Sequence, residues 1–302
     1  MELFRALGVL CEAPAKGHRA AARALGLRSV PTAADWSELF LFQLYPYASV
    51  YLGEQGMLGG EARDRVAGFW RALGAPPPAE PDHLAVLLAL YAEVAERGGP
   101  GHARRALLWE HLLSWLPPYL DRVAALGGPF YGSWAELLRR ALEEEAGRLP
   151  ADGLIPLQLR VAPDLADPRE HGAEAFVASL FAPVRAGFLV VRADLAAAAR
   201  ALELGLRVGE RRYVFRALLE QDPARMLAWL AREAEAASET HRRRKAALAP
   251  VSDFWAARAA RAAALLAELA AAAERGRPAD PSATSRPGTS LPPKPMATRM
   301  SA

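Results

Sequence analysis

Residues 80–91 read Glu80-Pro81-Asp82-His83-Leu84-Ala85-Val86-Leu87-Leu88-Ala89-Leu90-Tyr91, and the run they open stops at Gly98-Gly99-Pro100-Gly101. Leu84, Leu87, Leu88 and Tyr91 recur at i, i+3, i+4 and i+7, which is the spacing of one helix face. Asp82 stands where a cap belongs, Pro81 stiffens the entry and His83 falls in the first turn. Upstream, Gly74-Ala75-Pro76-Pro77-Pro78-Ala79 cannot be helical and forms a stiff connector. It ends a helix over 61–73 that buries Val66, Phe69, Trp70 and Leu73.

Further out the pattern repeats. Thr32 and Asp35 are spaced as a capping box, opening a helix with Trp36, Leu39, Phe40, Gln43 and Leu44. Pro46 disturbs it, and Val50-Tyr51-Leu52 carries the apolar surface on to Gly53. Downstream, a helix over 102–115 places Leu108, His111, Leu112 and Trp115 on one side before Pro117-Pro118. Ser133 and Glu136 form a second capping-box spacing, predicted to start a helix that ends near Gly147. The expected domain is 1–150, with 151–170, rich in Pro, Asp and Gly, as a linker. A second helical region is expected over 171–275, with Phe176, Leu180 and Phe181 early in it and Asp222-Pro223 capping a later helix. Gly187-Phe188-Leu189-Val190-Val191-Arg192 is strand-like, though a buried helix turn has the same pattern. Residues 276–302 lack large apolar groups and are predicted to be disordered.

Composition agrees with an all-α class. The chain has 302 residues, 52% of them hydrophobic, enough for a substantial core. Ala, Leu, Arg and Glu dominate, all good helix formers, while β-branched residues are sparse. The net charge of +3 resides in the tail, where Arg275, Arg277, Arg286, Lys294 and Arg299 face only Glu274 and Asp280. The body is therefore neutral, and no nucleic-acid partner is expected. Lys occurs only at 16, 245 and 294, so the abundance of Arg reflects base composition more than function. A single cysteine, Cys11, excludes an internal disulfide and a cysteine-rich metal site. The mixed N-terminus does not read as a signal peptide, and no run approaches the roughly 20 apolar residues of a membrane span. The cytoplasm is the expected compartment.

Catalytic signatures are missing. There is no phosphate-cradling Gly-rich loop ending in Lys-Ser or Lys-Thr and no Gly-x-Ser-x-Gly turn. The six histidines, at 18, 83, 102, 111, 171 and 241, do not fall at metal-ligand spacing. No catalytic residue, metal or cofactor is expected, and the chain is read as a non-enzyme. What remains is the 80–84 corner, where Glu80 and Asp82 offer carboxylates to a basic ligand beside an apolar helix. Arg–carboxylate pairing can be bidentate, which suits arginine-bearing peptides. Two aromatic segments accompany it, Leu44-Tyr45-Pro46-Tyr47-Ala48-Ser49-Val50-Tyr51-Leu52 and Trp109-Glu110-His111-Leu112-Leu113-Ser114-Trp115-Leu116-Pro117-Pro118. Core packing accounts for most of those side chains.

The ordered combination of Asp82-His83 before an apolar helix and His111-Leu112…Trp115…Pro117 one hairpin later resembles the TorD family of redox-enzyme maturation chaperones, with its DmsD and NarJ groups. The resemblance covers about 32–147; residues 171–275 have no counterpart in it. It implies a TorD-like helical bundle, here extended by a C-terminal helical region. It implies a partner that is the catalytic subunit, or its twin-arginine signal peptide, of a molybdopterin oxidoreductase, held until cofactor insertion is complete and export follows. On that implication Glu80, Pro81, Asp82 and His83, with Trp70 and Tyr51, line the peptide surface, and His111, Trp115 and Pro117 form a structural motif. A homodimer by domain swapping stays open. The alternative is a helix-turn-helix DNA-binding regulator, from the rhythm of 194–210 among Arg185, Arg192, Arg200, Arg207, Arg211, Arg212 and Arg216.

Overall fold

A computed structural model describes residues 1–98, 101–151, 153, 155–244 and 248–276. Among them the regular elements are all helical, and the sole strand-like pairing is an isolated bridge between Tyr47 and His83. The helices are α1 (Glu2–Val9), α2 (His18–Ala24), α3 (Ala33–Trp36), α4 (Ala48–Leu52), α5 (Gly60–Ala72), α6 (Leu84–Glu96), α7 (Gly101–Ala106) and α8 (Leu116–Leu126). They continue as α9 (Gly128–Arg148), α10 (Leu157–Val161), α11 (Pro168–Leu180), α12 (Pro183–Ala186), α13 (Arg192–Leu202), α14 (Arg211–Gln221), α15 (Pro223–Arg243) and α16 (Val251–Arg275). π-Helical turns extend α3 over Ser37–Gln43 and α7 over Leu107–Leu113. The tail expected to be disordered lies outside the described residues beyond Gly276, as do Gly99 and Pro100.

Local chemistry explains most boundaries. Thr32 Oγ1 accepts from Asp35 N at 3.1 Å and Asp35 Oδ2 accepts from Thr32 N at 2.9 Å, so the capping box forms. The Ser133–Glu136 box does not. Gly128-Pro129 starts α9 a turn and a half earlier, because proline in a first turn sacrifices no needed N–H. Ser133 Oγ then donates back to Pro129 O at 2.9 Å from inside the helix. Pro117 and Pro118 likewise sit in the first turn of α8.

The apolar groups form two clusters. The first is drawn mainly from residues 1–162 but is joined by Val184, Leu189, Val191, Leu248, Val251 and Trp255, and the second is drawn from residues between Leu165 and Ala270. The first is aromatic: Tyr51 stacks on Trp115 with centroids 5.1 Å apart, and Phe40 meets Tyr131 edge-on at 4.8 Å. Five indoles in it donate to backbone carbonyls, Trp36 to Cys11, Trp109 to Leu149, Trp115 to His111, Trp134 to Leu7 and Trp255 to Ser114. Each of these five N–H groups thereby keeps a partner. The second cluster is built from α11 to α16.

The clusters are joined closely. Residues 187–191 are neither strand nor helix but a buried connector, and Arg192 already starts α13. Its alternation sends Leu189 and Val191 into the first core and Phe188 and Val190 into the second. The span read as a linker carries α10, with Leu159 fully buried. Arg258 of α16 donates to the carbonyls of Ala162 and Pro163, fixing that span to the body. Asp121 of α8 pairs with Arg139 at 3.1 Å and with Arg244, while Arg122 pairs with Asp194. Gly56 packs on the backbone of α12's approach: a Cβ there would lie 2.1 Å from Phe181 O.

Candidate functional site

The Glu80–His83 corner is held by an antiparallel exchange with the start of α4. Leu84 N donates to Pro46 O at 2.8 Å and Ala48 N donates to Asp82 O at 3.0 Å. Pro46 has no N–H to offer, so its carbonyl is used instead. Tyr47 and His83 meet edge-on, with ring centroids 4.8 Å apart, and Tyr47 Oη donates to Glu80 Oε2 at 2.9 Å.

Asp82 does not cap its own helix. The cap of α6 is His83, whose Nδ1 accepts from Ala85 N at 3.2 Å. Burial moves the His83 imidazole below its ordinary 6.5 against the opposing pull of Glu80, Glu12 and Asp82, which suits an unprotonated acceptor nitrogen. The Asp82 side chain turns across the bridge instead, and its Oδ2 accepts from Ser49 N at 3.1 Å in the first turn of α4. A carboxylate there also opposes the positive end of that helix. Asp82 is only 2% exposed.

The line of hydrogen bonds continues. Ser49 Oγ accepts from Gly59 N at 3.1 Å, and Ser49 O accepts from Gly53 N at 2.9 Å. Both bonds hold the loop 53–60, Gly-Glu-Gln-Gly-Met-Leu-Gly-Gly, whose Gly56, Gly59 and Gly60 have positive φ. Gln55 O accepts from Arg212 at 3.0 Å, anchoring the loop to α14. Pinned at both ends, the loop presents Met57 and Leu58 to solvent at 57% and 55% exposure. They line a groove of about 340 Å³ whose far wall is Val161 and Gln158 of α10 and whose rim carries Glu54 and Glu61. Glu61 pairs with Arg65 at 3.2 Å; Glu54 is in no ion pair among the described residues. An apolar trough with carboxylates at its edge can take an extended or helical segment bearing basic residues.

Comparison with known proteins fits this frame. Residues 12–121 match the model of the nitrate reductase delta subunit family. A Tat proofreading chaperone, DmsD of Salmonella typhi, is 30% identical over 141 residues, covering 44% of this chain and 66% of that protein. A chaperone protein TorD of Vibrio vulnificus is 33% identical over 127 residues, covering 35% of this chain and 58% of that one. The chain belongs to the TorD family. It spans about three-fifths to two-thirds of the length of these relatives.

Within this TorD-family chain the expected site residues separate. Glu80 is exposed with a charge at the surface, His83 and Trp70 are half-buried, and Pro81, Asp82 and Tyr51 are buried. Tyr51 cannot line a peptide surface as expected: its ring lies between Trp115 and Tyr119 and its hydroxyl donates to Tyr45 O at 2.8 Å. Asp82 cannot grip an arginine as expected while its carboxylate is enclosed. Trp70 stands on α5 away from the groove, its Nε1 buried without a partner. His111, Trp115 and Pro117 are all core: His111 packs on Phe69 at 4.9 Å, and burial pushes its pKa down to about 4. The loop 53–60 and α10 were missed. The available signal was four glycines in eight residues around Met57-Leu58, since a turn so rich in glycine leaves its large apolar pair outside.

Among the described residues no group of three His, Cys, Asp or Glu side chains could hold a metal ion, and no helix is long and apolar enough to cross a membrane. The helix-turn-helix alternative loses its geometry. Eight residues, 203–210, separate α13 from α14, where such a motif uses a turn of about 3–4.

Proposed function

We propose that this chain is a cytoplasmic chaperone, without catalytic activity or cofactor of its own, for a molybdopterin oxidoreductase. It holds the catalytic subunit or its twin-arginine signal peptide until the cofactor is inserted, and releases it for export. Family membership supports the class of function. The observation that carries the binding mode is the groove between loop 53–60 and α10, with exposed Met57 and Leu58 on its wall and Glu54 and Glu61 on its rim. Methionine adapts to apolar segments of differing shape, and carboxylates suit arginine forks. On this reading the Asp82-His83 corner is a positioning element. Asp82 fixes Ser49, and Ser49 fixes the loop that touches the client. Glu80 is the one member of the corner with a free approach to a basic side chain.

The test is calorimetric titration with a panel of twin-arginine signal peptides from the source genome's molybdopterin oxidoreductases. At least one peptide should bind the parent, and its di-lysine version should bind more weakly because lysine lacks the planar fork. Replacing Met57 and Leu58 together by Ser should weaken binding at least about tenfold, the worth of one partly buried aliphatic side chain. Absence of binding across the panel, or affinity indifferent to the loop change, would overturn the proposal.

A further inference from the structure

A second surface has the opposite chemistry. α13, α14 and the loop 203–210 enclose a groove of about 410 Å³ lined by Arg192, Arg200, Arg207 and Arg211, with Leu206 and Val208 between them. Glu38 is its one lining carboxylate, and its Oε1 is engaged by Gln43 Nε2 at 2.7 Å. Among the described residues none of the four arginines is in an ion pair. Arg192 donates to Gly209 O at 3.1 Å, Arg207 to Tyr213 Oη at 3.4 Å and Arg211 to Val190 O at 3.0 Å, all neutral acceptors. The nearby acids form no ion pair with them among the described residues, and Glu210 acts on Arg211 only through its field. Glu210 spends its carboxylate on the N–H groups of Arg212 and Tyr213 at the start of α14, and Glu220 reaches Arg207 only through its longer-range field.

The same groove is unusually apolar at its lip. Val208 is 95% exposed, and Leu206 and Tyr213 are about half exposed. The π-helical turn that supplies Glu38 and Gln43 also leaves Leu41 and Phe42 in solvent. Such guanidinium groups beside exposed aliphatic side chains match a ligand with both carboxylates and an apolar face.

We infer that this groove docks an acidic amphipathic polypeptide segment, with Arg200 and Arg207 meeting its carboxylates and Leu206 and Val208 its apolar face. Duplex DNA fits less well, because its phosphates gain nothing from Val208 and Leu206. An anionic membrane favours a convex face, and these arginines line a concavity. The inference does not depend on the chaperone reading, since the groove at loop 53–60 carries carboxylates and would select basic segments.

The experiment is fluorescence anisotropy on the full chain with a short labelled amphipathic helix of Glu, Leu and Ala. The same helix with Lys for Glu, a labelled DNA duplex and phosphatidylserine vesicles are run in parallel. Saturable binding of the Glu helix is expected, with the Lys helix at least about tenfold weaker. Arg200→Glu combined with Arg207→Glu should weaken binding at least about tenfold, and Val208→Ser about threefold. All three side chains are exposed, so circular dichroism and melting point should match the parent. No saturable binding, equal binding of the Glu and Lys helices, or indifference to these variants would refute the inference. So would tighter binding of duplex or vesicles with the same dependence on the variants.

Discussion

Asp82→Ala is the perturbation that separates a positioning role from direct contact with a client. The carboxylate is 2% exposed and accepts the Ser49 N–H at 3.1 Å. Removing it leaves that N–H without its partner in the first turn of α4. Loss of a hydrogen bond to a charged group costs about 1.5–3 kcal/mol. The small cavity adds to this, and urea unfolding should show a loss of about 2–3 kcal/mol. Asp82→Asn keeps an acceptor and should cost only about 1 kcal/mol or less. Ser49→Ala removes the acceptor of Gly59 N–H and should cost about 1 kcal/mol while loosening loop 53–60. Affinity for a twin-arginine peptide should then fall in both Asp82→Asn and Ser49→Ala. Because both changes act through one loop, their effects should not add, and the double variant should bind about as the weaker single one does. Urea titration and calorimetry on the parent and all four variants give both quantities. An Asp82→Asn protein of parental stability with affinity reduced about tenfold, and by the same factor in the Ser49→Ala background, would show direct contact and refute the relay.

Three further outcomes follow from the packing. Burial holds His111 neutral, and burial together with Arg244 holds His241 neutral, each imidazole moved from 6.5 to about 4. The unfolded chain therefore binds more protons between these values, and stability present near pH 7 is lost as pH falls from about 6.5 toward 4. Each histidine should contribute about 2 kcal/mol of loss by pH 5, and His111→Phe should flatten the slope of melting temperature against pH over that window; an unchanged slope would contradict the burial argument. Gly56→Ala forces a Cβ onto Phe181 O at a φ of +62°, so urea unfolding should reveal about 2 kcal/mol or more of destabilisation, and a neutral result would mean the two cores are not in this contact. Trp255→Phe removes the indole N–H that reaches Ser114 O at 3.0 Å and opens a gap between α16 and the first core; a loss of about 2–3 kcal/mol is expected by the same method, against less than about 0.5 kcal/mol if that end of α16 is dispensable.

Helix positions were legible because the information is local. Leu84, Leu87, Leu88 and Tyr91 repeat at the helical period, Thr32 and Asp35 are three residues apart, and both facts survive any tertiary arrangement. The ordered Asp82-His83 and His111…Trp115…Pro117 segments were likewise sufficient to mark the family. Where those residues point was not local. Asp82 could serve α6 or α4 equally from its sequence. The choice was made by the bridge to Pro46 and Ala48, more than thirty residues away, which turned the carboxylate inward and left the cap of α6 to His83. The strand-like run at 187–192 has the alternation of a strand because it lies between two apolar cores, a condition that exists only once both have formed. The Pro- and Asp-rich span after residue 150 reads as a linker from its composition. It is instead tied down by Arg258, which is about a hundred positions further along the chain. Periodicity records how a segment faces an apolar surface, whereas the partner of each polar group depends on which distant segment that surface brings within hydrogen-bond reach.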